Sequence, residues 1–531
     1  MNTSQWKALG LAVPLLLLGT AGCTDPTVAP KSTVTGANFF DDPASYQTFL
    51  AKIYAGLALS GQAGPAGQPD ILGIDEGFSQ YLRLYWETEE LPTDEAVIAW
   101  NDIGLPEMNT QTWTASSAMV VAMYYRIFFQ ASMANEFLRQ TTDAALAGRP
   151  GITPALKARI QQYRAEARFL RVLSYWHGID LFGNIPLVTE KDPIGATAPK
   201  QSTRADIYNY VVSELTAIKD SLPLPGPSTY GRATGPAASM LLAEVYLNAG
   251  VYTGTPHYTE ALTAAQAVIG AGTYSLDPSY LHLFMADNNT SPEIIFAITS
   301  DGVHTQTYGG MTFLVHASVG GTMTAANYGI DGGWYGLRLK PEAYSAFAAG
   351  DGRATPFYTS GQSVVVDTIS AFDRGIPNPK FTNKTSAGAA GSNKVFVDTD
   401  FPMFRLAEAY LIYAEAQLRG GGGTRAQALA YVNALRERAY GGTSGDVTDP
   451  QLTLDFLLAE RGRELLWEAH RRTDLVRYGL FTGGSYLWSW KGQNPRGYDP
   501  TGLATAPTLD LYPLPANELI ANPNLKQNPG Y

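Results

Sequence analysis

The chain has 531 residues, 45% of them hydrophobic, which is ample material for a large core in one or two closely packed units. Its 37 Lys and Arg stand against 48 Asp and Glu, and the net charge of −11 argues against nucleic acid, because phosphate neutralisation needs basic surface. With 30 Tyr, 9 Trp, 53 Gly and 33 Pro, the sequence combines helices with long ordered loops and suits a neutral ligand.

The opening, MNTSQWKALGLAVPLLLLGTAGCTDPT, has one basic residue (Lys7), an apolar run from Ala8 to Leu18 and small residues leading to Cys23. This pattern predicts a secretory signal over residues 1–22, too short to span a membrane. Cys23 is the only cysteine, so no disulfide can form within the chain, and its place after the signal core predicts lipid attachment. Thr20 stands where lipoprotein signals usually carry Leu. Buried acyl methylenes contribute about 0.8 kcal/mol each, so the membrane is expected to be met through the lipid alone. Residues 23–36 are polar and turn-forming, a tether.

Helical signals fill residues 37–272. DDPASYQTFLAKIYAGLALSG carries the stripe Phe49, Ile53, Leu57 and stops at Gly61; TASSAMVVAMYYRIFFQASMANEFLRQ follows with Met119, Met123 and Ile127. TPALKARIQQYRAEARFLRVLSYWHGIDLFG predicts a long third helix, and TRADIYNYVVSELTAIKDSL a fourth capped by Thr203. Two shorter helices follow, one with Ala237, Ala238 and Ala243 facing inward and one with Ala261, Ala265 and Ala267. Small residues let antiparallel helices approach closely, and a pair length of about 34 residues fits a tetratricopeptide-like unit, with an ordinary helical hairpin as the alternative.

Residues 273–402 change character. SPEIIFAIT reads as a strand, and Gly-rich aromatic stretches around it predict a loop and short-strand insertion, too long for a passive linker and expected to form the ligand-binding face. From 403 to 531 helices return in PMFRLAEAYLIYAEAQLRGGGG, TRAQALAYVNALRERAYGG and LTLDFLLAERGRELLWEAHRRTDLVRYG, the last expected as one continuous helix, before an extended Asn/Pro-rich tail.

Several of these segments together, AEARFLRVLSYWHGIDLFGNIPLV, SPEIIFAI, FRLAEAYLIYAEAQLRGG, ALAYVNALRERA, ERGRELLWEAHRRTDLVRYG and LYPLPANELIANPNLKQNPGY, resemble the SusD/RagB family of outer-membrane nutrient-binding lipoproteins. The resemblance implies an all-α fold on four tetratricopeptide-like helix pairs with a loop-rich face and a few short strands. It also implies a non-enzymatic protein that captures oligosaccharide, or in some members peptide, for a SusC-like TonB-dependent outer-membrane transporter. Its ligand residues lie outside the matching segments and are not carried over.

Glu460, Glu464 and Glu468 recur every four residues on one helix face, a spacing compatible with paired catalytic carboxyls. The arginines around them favour the ionised form, which works against a general acid. The expectation is instead a partly buried ionic clamp of Glu464, Glu468, Arg471 and Arg472 between the last two helices, with Arg436 and Arg438 opposite. The six His lack metal-ligand spacing, DNNTSPE lacks the pattern of a calcium loop, the GGGG at 420–423 has no following Lys-Ser or Lys-Thr, and no Gly-x-Ser-x-Gly occurs; neither metal nor cofactor is expected.

The loop aromatics carry the remaining signal. Sugar rings stack apolar faces on aromatic rings while their hydroxyls take polar partners, and loops on a rigid scaffold are where such sites lie. Tyr85, Trp86, Trp100, Tyr308, Trp334 and Tyr335 are the stacking residues singled out, with Asp75 and Arg83 as polar contacts. The sequence leaves open a peptide or other polymer receptor, served by Asp70, Asp75, Glu76 and Arg83, and a secreted glycosidase with two opposed carboxylates.

Overall fold

The computed structural model describes residues 38–195, 198–493 and 500–531. The expected signal, Cys23 and the tether lie outside the described residues.

The scaffold is helical. In chain order it comprises α1 (Ser45–Ala58), α2 (Tyr81–Glu90), α3 (Ala118–Gln140), α4 (Pro154–Phe182), α5 (Arg204–Ile218), α6 (Gly235–Leu247) and α7 (Tyr258–Gly270). After the insertion, which carries α8 (Gly310–Ala317), come α9 (Leu406–Leu418), α10 (Arg425–Tyr440), α11 (Leu454–Glu464) and α12 (Arg471–Arg477). Threonine starts many of them. Thr153, Thr203, Thr234, Thr424 and Thr453 each accept a backbone N–H of the first turn, satisfying a donor that the helix itself cannot.

Consecutive helices stack as antiparallel neighbours from α3 through α7, and α7 then packs on α9, and α9 on α10. The 130-odd residues between α7 and α9 are therefore an excursion from a continuous stack, which closes beneath them as though they were absent. Ala237, Ala238 and Ala243 of α6 and Ala261 and Ala265 of α7 are buried and set the close approach; Ala267 faces out, with Val268 taking the inward place.

Two small antiparallel ladders pin the excursion. Strands β1 (Ala96–Ile98) and β3 (Leu337–Leu339) pair Ala96 with Leu339 and Ile98 with Leu337. Strands β2 (Ile294–Ile298) and β4 (Phe401–Arg405), numbered by their order in the chain, pair Ile294 with Arg405 and Ile298 with Phe401. No helix among the described residues is long and apolar enough to cross a membrane.

The stretch expected as one helix over residues 452–479 is broken. Helix α11 ends at Glu464, and Trp467 and Ala469 adopt left-handed φ of 63° and 62° before α12 begins. Such conformations cost of order 1–3 kcal/mol each for non-glycine residues and persist only where their surroundings hold them. Here Trp467 N–H donates to Glu95 Oε2 at 3.1 Å, and the indole N–H of Trp86 donates to Trp467 O at 2.9 Å.

The break redirects the expected clamp. Glu464 is met by Arg353 at 3.0 Å, Arg405 at 2.7 Å and Arg438, and Glu468 by Arg405 and Lys380, both at 2.6 Å. Arg471 and Arg472 do not turn back to Glu468. Arg471 pairs with Asp94 at 2.6 Å, and Arg472 with Asp180 at 2.7 Å and Glu89 at 3.3 Å. Apart from Arg438, which is partly exposed, these residues are buried, because the network lies where α2, α4, α9, α10 and the excursion converge. Although burial pushes Glu464 up, Arg438, Arg405 and Arg353 hold it well below the usual carboxylate range.

Candidate functional site

Helix α2 corrects part of the expected site. YLRLYWETEE was read as loop, yet all ten residues are helical and buried, enclosed by α1, α3, α8 and α12. Trp86 is 0% exposed, with its ring edge-on to Trp467 at 5.6 Å, and cannot meet a ligand. Tyr85 stacks on His177 at 3.9 Å in the same interior. Both are core residues. Their aromatic and acidic neighbours gave the segment the look of a wet loop, whereas each acid has a buried partner.

The other aromatics converge. Tyr308 is 39% exposed and Trp334 half-buried, with ring centres 6.5 Å apart; Trp334 lies 6.3 Å from Trp100, also half-buried. Residues from positions 100, 308 and 334 thus form one curved aromatic platform. Phe396, which sequence reading did not single out, backs Tyr308 at 5.5 Å.

The local fold explains how this platform is held. The β1–β3 ladder continues with Ala99 N–H donating to Gly336 O at 2.9 Å, which brings Trp100 beside the 334–336 segment. The indole N–H of Trp100 donates to Trp334 O at 2.9 Å. Gly336 lies under the Trp100 ring, where a Cβ would meet Cε2 and Cζ2 at 2.9 Å, so only glycine permits this approach. Trp334 N–H donates to His316 O at 2.8 Å, and its ring stacks on the His316 imidazole at 4.6 Å. Burial lowers the His316 pKa, and the neutral ring directs Nδ1 to Gly332 O at 2.7 Å, accounting for Nδ1 as the protonated nitrogen.

Tyr335 is 52% exposed, adopts a left-handed φ of 56° and packs edge-on against Phe372 at 5.5 Å. It stands at the edge of the platform. Arg83 lies below it, its guanidinium 4.2 Å from the Phe313 ring centre and 5.6 Å from that of Trp100. Its Nε donates to Glu87 at 2.8 Å and Nη1 to Gly77 O at 3.1 Å, leaving Nη2 without a partner among the described residues. Exposed Asp75 joins the same corner by accepting Gly77 N–H at 2.7 Å. Gln80 ties this loop to the Tyr308 side by donating to Thr307 Oγ1 at 2.8 Å.

One buried trio has the donor types of a metal centre: Glu244, Glu408 and His470 bring ligand atoms within 4.8 Å of one another. Arg461 stands 4.0 Å from Glu244, and burial together with the Glu244 charge pushes the Glu408 carboxyl well up. A proton retained on that pair balances the local charge better than a divalent ion beside a guanidinium.

The helical-repeat scaffold thus presents an aromatic platform with the Arg83 guanidinium beneath it and the exposed Asp75 carboxylate at its corner. The chain belongs to the SusD family. The SusD family model matches residues 358–531. Over the full length of both chains it is 35% identical to the starch-binding protein SusD of Bacteroides thetaiotaomicron. It is 26% identical to SusD-like protein P2 of Formosa agariphila over 97% of this chain and 98% of that one. Among solved structures, surface glycan-binding protein A from Bacteroides thetaiotaomicron superposes with a TM-score of 0.71 at 22% identity, covering 93% of this chain and 100% of that chain. The same protein in complex with laminarihexaose gives a TM-score of 0.68 at 20% identity, covering 91% and 98%.

Proposed function

We propose that the protein is a lipid-anchored glycan-binding protein of the outer membrane, facing the cell exterior and delivering oligosaccharide to a SusC-like TonB-dependent transporter. The observation that carries the binding reading is the Tyr308–Trp334–Trp100 platform with Arg83 Nη2 beneath it and Asp75 at its corner. Three rings at successive spacings of 6.5 and 6.3 Å offer stacking faces to neighbouring sugar units. The donor and acceptor beside them suit hydroxyls. The relationship to a starch-binding relative at 35% identity supports an α-glucan among the ligands.

Binding proceeds without covalent change. Glu460 and Glu464, the closest approach to a glycosidase pair in the sequence, are enclosed by arginines despite their burial and remain ionised, so neither can act as a general acid near neutral pH. Titration calorimetry with neutral oligosaccharides tests the reading: heat of binding without released reducing ends supports it, and product release or binding only to peptides would sink it. Co-purification with an outer-membrane barrel from the native host tests the transporter.

A further inference from the structure

A cleft of about 820 Å³ shares Trp100 with the platform and is lined in part by Trp100, Asn101, Glu107, Thr112, Asp367 and Trp490. We propose that this cleft is a second sugar subsite, continuous with the aromatic platform through Trp100, and that Glu107 is its hydrogen-bond acceptor. The proposal rests on the glycan reading and deepens it: the ligand is a neutral oligosaccharide long enough to pass from Tyr308 beyond Trp100.

The cleft's polar groups differ in how they are committed. The Asn109 amide is used on both sides by the backbone of Ile98, at 3.1 and 3.0 Å. The Thr112 hydroxyl is 2.8 Å from that of Thr110, which donates to Pro106 O at 2.9 Å. Glu107 is different. Its Oε2 is enclosed and has no hydrogen-bond partner among the described residues. The residue as a whole is half-buried and lines the cleft, so turning the carboxylate about its last bond carries an oxygen to the opening, where a ligand hydroxyl supplies the missing donor. Asn101 is exposed at the rim.

Cleft and platform are also held in fixed relation. Arg338 is 0% exposed, and its guanidinium donates to Gly336 O at 2.7 Å, Ile369 O at 2.5 Å, Ala371 O at 3.1 Å and Arg374 O at 2.9 Å. One side chain therefore pins the 369–374 wall of the cleft to the segment that carries Trp334 and Tyr335. A site whose two halves are locked by a buried residue is preorganised for one extended ligand.

Charge narrows the ligand class. The cleft presents the carboxylates of Glu107 and Asp367, with Arg374 3.5 Å from Asp367 on the exposed outer side. Uronate or sulfate groups meet like charge there, whereas neutral sugars meet the same carboxylates as acceptors without that repulsion.

The test is calorimetry on the purified protein with maltotriose, maltoheptaose, laminaritriose and laminariheptaose, and with an oligogalacturonide of seven units. The expected result is that one neutral seven-unit chain binds about tenfold more tightly than its three-unit counterpart, and that Glu107→Ala removes this advantage while leaving the trisaccharide affinity unchanged. Trp334→Ala weakens both lengths, and the oligogalacturonide gains nothing from length. Asp367→Asn serves as a second variant on the exposed rim, expected to admit the acidic chain. An undiminished length advantage in Glu107→Ala, or an equal loss of both lengths with the melting temperature retained, overturns the subsite while the platform stands. If no neutral oligosaccharide binds the unaltered protein, the glycan reading fails and the subsite with it.

Discussion

Glu90 Oε1 accepts the backbone N–H of Ala469 at 2.7 Å, across 379 positions of sequence, and so holds the left-handed residue that breaks the last helix. Glu95 does the same for Trp467 at 3.1 Å. The two buried carboxyls interact, and burial together with the Glu95 charge favours a proton retained on Glu90.

This pair predicts a pH dependence. Burial, and then the Glu95 charge, raises Glu90 well above its usual value, and burial raises Glu95 to about 7 despite Arg471. A carboxyl whose folded pKa is raised stabilises the fold below its unfolded value and loses that contribution as pH rises through the folded value. Melting temperature is therefore expected to fall between roughly pH 5 and pH 8, by the equivalent of about 1–3 kcal/mol. Glu90→Gln keeps the acceptor for Ala469 without a titrating proton. It should flatten that decline, and an unchanged slope in calorimetric melts would refute the proton retained on Glu90.

The ionic core predicts a large stability loss on breaking it. Glu468→Ala leaves Arg405 and Lys380 buried without this carboxylate, an arrangement that costs about 3–5 kcal/mol where one partner of a buried pair is removed. Urea denaturation should show a lowered midpoint. Full stability with lost oligosaccharide binding would mean that Glu468 serves the ligand and not the fold.

The two tryptophans assigned to one site from sequence should separate by readout. Trp334→Ala is expected to weaken oligosaccharide binding at least tenfold with little change in melting temperature, because a half-buried platform ring is lost. Trp86→Ala should instead destabilise by about 3–5 kcal/mol, as a fully buried indole leaves a cavity. Calorimetric titration beside thermal melts of both variants distinguishes them. The assignment fails if Trp86→Ala folds normally and does not bind.

Gly336→Ala tests the platform's geometry. Its added Cβ would meet the Trp100 ring at 2.9 Å, and the ring must tilt away from Trp334 to admit it. Binding should weaken several-fold while the melting temperature falls by no more than a few degrees, about 1 kcal/mol of overpacking at a half-buried ring. Unchanged affinity would show that the Trp100 position is not limiting.

Much of the scaffold was legible in sequence for local reasons. Threonine caps, apolar stripes and runs of alanine specify helices and their close approach without distant partners, as Thr203 and Ala237 illustrate. Helix α2 was not legible in this way. Its ten residues lie entirely inside, so no polar face gives the helical period, and while Arg83 and Glu87 pair within the helix, Glu89 and Glu90 are satisfied by groups hundreds of positions away. The same holds for residues 465–470, whose composition matches a continuous helix, while the break is held by distant groups that include Glu90, Glu95, Trp86 and Lys380.

The sequence by itself determined the helical character of the scaffold, the close approach of its alanine-rich helices and the resemblance to a nutrient-binding family. Tertiary structure decided which aromatic rings reach solvent and which arginine meets which carboxylate. Ring type and charge are properties of a residue, but exposure and pairing depend on what the folded chain brings from elsewhere: Trp334 to Trp100, Asp94 to Arg471, Gly336 to the face of an indole.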